Sequence, residues 1–257
     1  MKRHLPNALT CLNLLCGCLA LTFIFQGQLV TAAYFVGAGA IADFFDGLVA
    51  RALRVSSPIG KDLDSLADMV SFGVVPGAIL YKLLGTSVAR YLIVSGQLSP
   101  YAVPSSSSLL LPYLGFVVTI FSALRLAKFN NDTRQTNSFI GLPTPACTLV
   151  VASLPLILSY NELGLNDFIL NPWLLLGLTG LLSGLLVAEL PLFALKFKNL
   201  RWVGNRRRFI FVALALGLVG WLRAAGVPLA VLLYVLLSVP GRVRSRDLPE
   251  AGPAASQ

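Results

Sequence analysis

Apolar stretches of membrane-spanning length recur along the chain, at about residues 8–25, 29–53, 59–84, 109–127, 142–160 and 172–195. Lipid offers a backbone amide no partner, so a stretch of ~20 apolar residues must bond its own N–H and C=O groups, and a helix does this within one segment. The chain is therefore read as all-α: a polytopic integral membrane bundle of six core transmembrane helices. Two shorter stretches, about 208–224 and 226–240, are weakly separated by Gly226 and Pro228. They read as a C-terminal pair, about eight spans in all, and each is short enough to form a re-entrant hairpin instead. Only 12% of the 257 residues are charged, against roughly 25% in a soluble domain, which excludes an ordinary soluble fold. The expected organisation is one transmembrane domain over residues 1–195, a basic loop with an accessory helical hairpin over 196–240, and a disordered tail over 241–257.

A net charge of +9 would point to nucleic acid in a soluble chain. Here the basic residues sit at span ends, so orientation explains them and no nucleic-acid partner is expected. With both termini in the cytoplasm, all 20 Lys and Arg except Lys82, Arg90 and Arg223 fall on the cytoplasmic side. The same residues would attract anionic lipid head groups. Met1-Lys2-Arg3-His4 before an apolar run has the outline of a signal peptide, but no A-x-A site follows, so the run is read as the first span. Segment 95–108 is rich in Pro and Ser and is read as an outer loop; 128–138 is read as a cytoplasmic loop. Cys11, Cys16, Cys18 and Cys147 form no C-x2-C pair; reduced core thiols are expected, without zinc or a disulfide framework. His4 alone builds neither a metal site nor a catalytic triad. No internal repeat is present to support an inverted-repeat transporter.

Against this apolar background, residues 43–68 stand out. Of the 11 acidic residues, Asp43, Asp46, Asp62, Asp64 and Asp68 fall here. Asp43, Asp46, Gly47 and Ala50 lie at i, i+3, i+4 and i+7 and share one helix face. Gly60, Asp64 and Asp68 step by four and share a face of the next helix. Ser56-Ser57-Pro58 makes the turn between them. Two such helices facing each other bring four carboxylates into one pocket, which the positive-inside layout opens to the cytosol. Carboxylates so placed need cations. One or two hard divalent ions, Mg²⁺ or Mn²⁺, satisfy that need and can grip a phosphate or pyrophosphate. Small residues on the stripe leave room beside the metals, and Arg51 at its edge can pair with a phosphate or with an Asp.

The spacing D-x2-D-G-x2-A-R-x8-G-x3-D-x3-D over 43–68 resembles the signature of the CDP-alcohol phosphatidyltransferase family. The likeness spans roughly residues 5–195, and residues 196–257 have no counterpart in that family's minimal six-span fold. The resemblance implies transfer of a phosphatidyl group from a CDP-linked lipid to an alcohol, with release of CMP. It implies that Asp43, Asp46, Asp64 and Asp68 hold two divalent ions, Mg²⁺ or Mn²⁺, at the pyrophosphate. Asp68 would also be the general base toward the acceptor hydroxyl. Gly47, Ala50, Arg51 and Gly60 would lie on the nucleotide side. A homodimer in a prokaryotic plasma (inner) membrane is implied too, and the small-residue stripes suit one.

Residues 66–76 (Leu-Ala-Asp-Met-Val-Ser-Phe-Gly-Val-Val-Pro), 123–130 and 139–145 are similar to the versions found in members whose acceptor is serine. The implied substrates are CDP-diacylglycerol and L-serine, and the implied product is phosphatidylserine. A zwitterionic acceptor needs a cation for its carboxylate, and Arg125 fits. Ser71, Asn130 and Thr144 could add hydrogen bonds, although backbone bonding or a cap serves Ser71 and Thr144 equally well, and Arg125 with Lys128 also reads as an ordinary basic flank. Another alcohol (glycerol 3-phosphate, an inositol phosphate or choline) remains the alternative acceptor. A cation channel or transporter is the rival class. It needs carboxylates spread through membrane depth, whereas only Glu189 lies well inside a later span.

Overall fold

A computed structural model describes residues 4–55, 57–97, 110–131, 138–193 and 205–238. The chain is a bundle of membrane helices, all-α apart from one two-stranded ribbon. Helix α1 runs His4–Phe25 and α2 runs Leu29–Leu53, packed along each other as a hairpin. Arg54, in the left-handed region at φ 52°, ends α2, and its N–H returns to the last turn. Ser57 then caps α3: its Oγ accepts from the Gly60 N–H at 3.0 Å, with Pro58 in the first turn, where a missing N–H costs nothing.

Helix α3, Pro58–Val94, is a single 37-residue helix. It extends ten residues past the expected end near 84 and passes through a π-helical segment at Met69–Val74. A π turn loosens the i→i+4 ladder, and neighbouring helices supply the hydroxyls that restore the bonding. Thr119 donates to the Gly73 carbonyl at 2.9 Å and Thr148 to that of Phe72 at 2.9 Å.

Helix α4, Leu111–Asn131, opens with a 3₁₀ turn and carries Thr119 and Arg125 inward. Helix α5, Thr144–Tyr160, is followed by short turns and by α6, Pro172–Val187. The expected sixth span reaches 195, but the helix stops at Val187 and Glu189 lies beyond it, outside the span. Residues Pro191–Phe193 instead pair antiparallel with Ser138–Ile140, as strands β2 and β1. Periodicity cannot show so short a ribbon. Gly141 follows β1 at φ 79° and faces the Leu186 and Ala188 carbonyls, a conformation and a space that only glycine accepts without strain.

Helices α7, Arg206–Leu222, and α8, Gly226–Ser238, form a hairpin. The stretch is apolar enough for one long span, but Arg223 at φ 50°, ψ −124° breaks it. The hairpin turn packs on α5, and α8 also packs on β2. The buried core runs through α1, α2, α3, α5 and α6, with Ile24, Leu80, Val151 and Leu175 at its centre. The 95–108 loop (from residue 98), most of the 128–138 loop, most of the basic loop and the 241–257 tail lie outside the described residues.

Candidate active site

Three helices converge on the acidic stretch. The last turns of α2 carry Asp43 and Asp46, and the first turns of α3 carry Asp64 and Asp68. The α2–α3 turn folds the two stripes toward each other, so that one carboxylate oxygen each of Asp43, Asp64 and Asp68 lies within 4.8 Å of the others. Asp46 stands apart from this trio. It is buried, and its Oδ2 accepts from Thr10 Oγ1 of α1 at 2.7 Å. Asn13, one turn further along α1 and fully buried, donates Nδ2–H to Asp68 Oδ1 at 3.4 Å, while its Oδ1 has no hydrogen-bond partner. Ser71 Oγ donates to the Asn13 carbonyl at 3.0 Å, which ties α1 to the π segment of α3.

A cavity of about 220 Å³ opens beside the trio, lined by Asn7, Thr10, Asp46, Gly47, Ala50, Gly60, Lys61 and Asp64 among others. Three of the four predicted nucleotide-side residues therefore line one space. The fourth, Arg51, is exposed, with its guanidinium folded back beside Gly47. Gly60 is small by necessity: a Cβ there would sit 3.0 Å from Ser57 Oγ and 3.1 Å from Asn7 Oδ1.

The four predicted acceptor residues separate. Arg125 is 7% exposed; its Nε donates to the Leu142 carbonyl at 2.7 Å, and Phe129 lies 5.3 Å from the guanidinium carbon. Its Nη groups make no hydrogen bond among the described residues, and Asp68 lies within electrostatic range. Ser71 is buried with its hydroxyl committed to Asn13, and Thr144 is buried at the start of α5. Asn130 is exposed and bonds Ser65 Oγ at 2.9 Å, away from the trio.

The donor set fits a hard divalent ion. Three oxygen ligands converge, and none has a basic partner within 4.0 Å; Arg90 with Asp167 is the one such ion pair among the described residues. Like charges in so apolar a setting call for a cation. Thr10 and Asn13 were legible as polar residues of an interfacial entry, but not as partners of the carboxylates. Asn7, Thr10 and Asn13 recur every three residues on an otherwise apolar helix, and that was the available signal.

A membrane-embedded enzyme that handles a phosphate-bearing lipid is the class defined by such a bundle with an acidic cluster at one end. The family model described as CDP-alcohol phosphatidyltransferase matches residues 3–181. The CDP-diacylglycerol–serine O-phosphatidyltransferase of Helicobacter pylori (strain J99) is 35% identical over 217 residues, covering 83% of this chain and 80% of its own. The protein of the same description in Bacillus subtilis (strain 168) is 33% identical over 172 residues, 63% of this chain and 84% of its own. An archaetidylserine synthase of Methanothermobacter thermautotrophicus is 30% identical over 161 residues, 62% of this chain and 60% of its own. The chain belongs to the CDP-alcohol phosphatidyltransferase family.

Proposed function

We propose that this enzyme transfers the phosphatidyl group of CDP-diacylglycerol to the hydroxyl of L-serine. The serine oxygen forms a bond to the lipid-side phosphorus. The pyrophosphate P–O bond breaks, and CMP leaves with the electron pair. The serine proton passes to Asp68, placed as general base. Asp43, Asp64 and Asp68, with Asp46 beside them, would hold Mg²⁺ or Mn²⁺, two ions in the full arrangement. Bound there, such ions polarise phosphoryl oxygens and offset charge on the leaving group, worth several kcal/mol of barrier. The cavity between α1 and the acidic stripes suits the cytidine end of the donor, with Gly47, Ala50 and Gly60 leaving room for it and Arg51 at its edge.

The observation that carries serine is Arg125. A buried guanidinium with unspent Nη donors near the general base is suited to a carboxylate, and a plain alcohol would leave it unpaired. The names of the similar proteins support the same acceptor. Ser71 and Thr144 border this side, and Asn130 braces α4 against α3. The distribution of Lys and Arg supports a plasma-membrane location with the acidic end facing the cytoplasm. The exposed glycines Gly177, Gly180 and Gly184 of α6, which face open space, suit close approach of a second copy in a homodimer.

The test is CMP release by the purified protein with CDP-diacylglycerol and Mn²⁺ or Mg²⁺, with serine, glycerol 3-phosphate, inositol phosphate and choline offered separately. Release with serine alone is the expected result. Release with another alcohol would replace the acceptor, and no release with any of the four would overturn the transferase reading.

A further inference from the structure

The family model ends at residue 181, yet the hairpin beyond it is docked at both ends. At its turn, Glu162 receives two backbone N–H groups: Ala225 donates to Oε2 at 2.8 Å and Ala224 to Oε1 at 3.4 Å. Glu162 follows α5, at the end where Tyr160 meets Tyr34 of α2, opposite the acidic trio. This is a fixed anchor. A carboxylate that takes two amides in the first turn of a chain reversal holds that reversal in place, and the strained backbone of Arg223 persists because the turn is over-determined.

From that anchor α8 runs back along α5 and reaches β2. Eight residues past Gly226, about 12 Å along the axis at 1.5 Å per residue, it delivers Tyr234. That side chain is 5% exposed and packs its ring 5.5 Å from Phe211 of α7. Arg125 lies in its electrostatic range, with Asp68 on the guanidinium's other account. The Leu142 carbonyl that takes Arg125 Nε belongs to the segment just after β1, whose partner strand β2 is the one α8 covers. The hairpin thus closes the side of the Arg125 pocket that the six-helix core leaves without a wall.

We propose that the C-terminal hairpin is part of the acceptor site: anchored at its turn by Glu162, it brings Tyr234 against Arg125 and holds the guanidinium with its Nη groups facing the acceptor carboxylate. Tyr234 is a positioning residue, acting through Arg125. The inference rests on the reading of Arg125 as the carboxylate partner of the acceptor. It also accounts for an arginine that stays buried near the membrane without an ion-pair partner in the chain, since an aromatic wall and a bound carboxylate are what such a charge needs.

The experiment measures KM for serine, KM for CDP-diacylglycerol and kcat on the full-length protein in detergent, with thermal unfolding alongside. Tyr234→Ala and Tyr234→Leu are expected to raise the serine KM about tenfold while the CDP-diacylglycerol KM stays within about twofold. Tyr234→Phe keeps the ring and is expected to stay close to the parent protein. Glu162→Ala is expected to shift the serine KM in the same selective way. The Leu variant preserves apolar fill, so it reports even where the Ala variant folds poorly. Unchanged serine KM in both Tyr234→Leu and Glu162→Ala, or equal rises in both KM values, would overturn the hairpin's role. Arg125→Ala separates the two levels. If it leaves the serine KM unchanged, the acceptor reading itself fails and the hairpin proposal falls with it. If it raises the serine KM and the hairpin variants do not, the hairpin proposal alone is overturned.

Discussion

Asp68 sits where two demands meet. It shares the trio with Asp43 and Asp64, and it accepts the Asn13 amide from α1. An oxygen held by one donor keeps its second oxygen free for the acceptor's proton, so the geometry suits a base that is aimed and not merely charged. Asp68→Asn is expected to lower kcat by at least about 10³-fold with little change in CDP-diacylglycerol affinity, read by single-turnover CMP release against lipid binding. Loss of binding at unchanged kcat would remove Asp68 from the role of base. Asn13→Ala leaves the charge but removes its donor, and a loss of about tenfold in kcat is expected, within the range of general-base contributions. Thr10→Val keeps volume and takes one hydrogen bond from Asp46; a rise in the CDP-diacylglycerol KM with kcat nearly unchanged is the expected result, since Asp46 faces the cavity and not the trio. Both α1 residues are isolated polar positions in the sequence. Their partners lie 36 and 55 residues away, and helical periodicity carries no information over that distance.

Helix α3 shows how an element is shaped to serve the site. Its first three turns present Asp64 and Asp68, and the π segment begins at the next residue. The extra residue in that turn shifts the register of everything downstream, so the acidic face and the buried face of Phe72 and Ile79 need not follow one helical stripe. The freed carbonyls would be costly in lipid, and the hydroxyls of Thr119 and Thr148 satisfy them. Thr148→Val replaces the donor with a methyl group of equal size inside a fully buried site. It is expected to cost about 1–3 kcal/mol of stability, seen as a lower thermal midpoint in detergent, with activity falling in parallel because Asp68 precedes the segment. An unchanged midpoint would mean that water or another group serves the Phe72 carbonyl. The acidic half of this helix was legible because four-residue steps of Gly60, Asp64 and Asp68 survive in the sequence. The π turn was not, since no residue type demands it, and so the expected end near 84 fell short of Val94.

At the scale of the molecule, the acidic end couples metal to stability. Three carboxylates that repel one another in an apolar surround are relieved by a cation, so a divalent ion should bind the folded chain far better than the unfolded one. Adding Mn²⁺ to about 100 times its Kd is expected to stabilise the protein by about 2.7 kcal/mol, and EDTA is expected to abolish CMP release. Asp64→Asn should lose both effects; an EDTA-insensitive midpoint would argue against an ion in the trio. The sequence by itself determined the helical class, because apolar length leaves lipid-embedded backbone no other form. It also determined which residues share a helix face, because the spacing of Asp43, Asp46, Asp64 and Asp68 is a local property of 3.6-residue turns. Which faces meet was decided only in three dimensions. There Asp46 turned to Thr10 while the other three gathered, Asn130 turned to Ser65, and a two-stranded ribbon took residues assigned to the sixth span. There too a hairpin beyond the family's own boundary was pinned by Glu162 and laid against Arg125. Each of these depends on contacts between segments far apart in the chain, and the free energy of such contacts is set by packing and by paired polar groups, not by any local pattern.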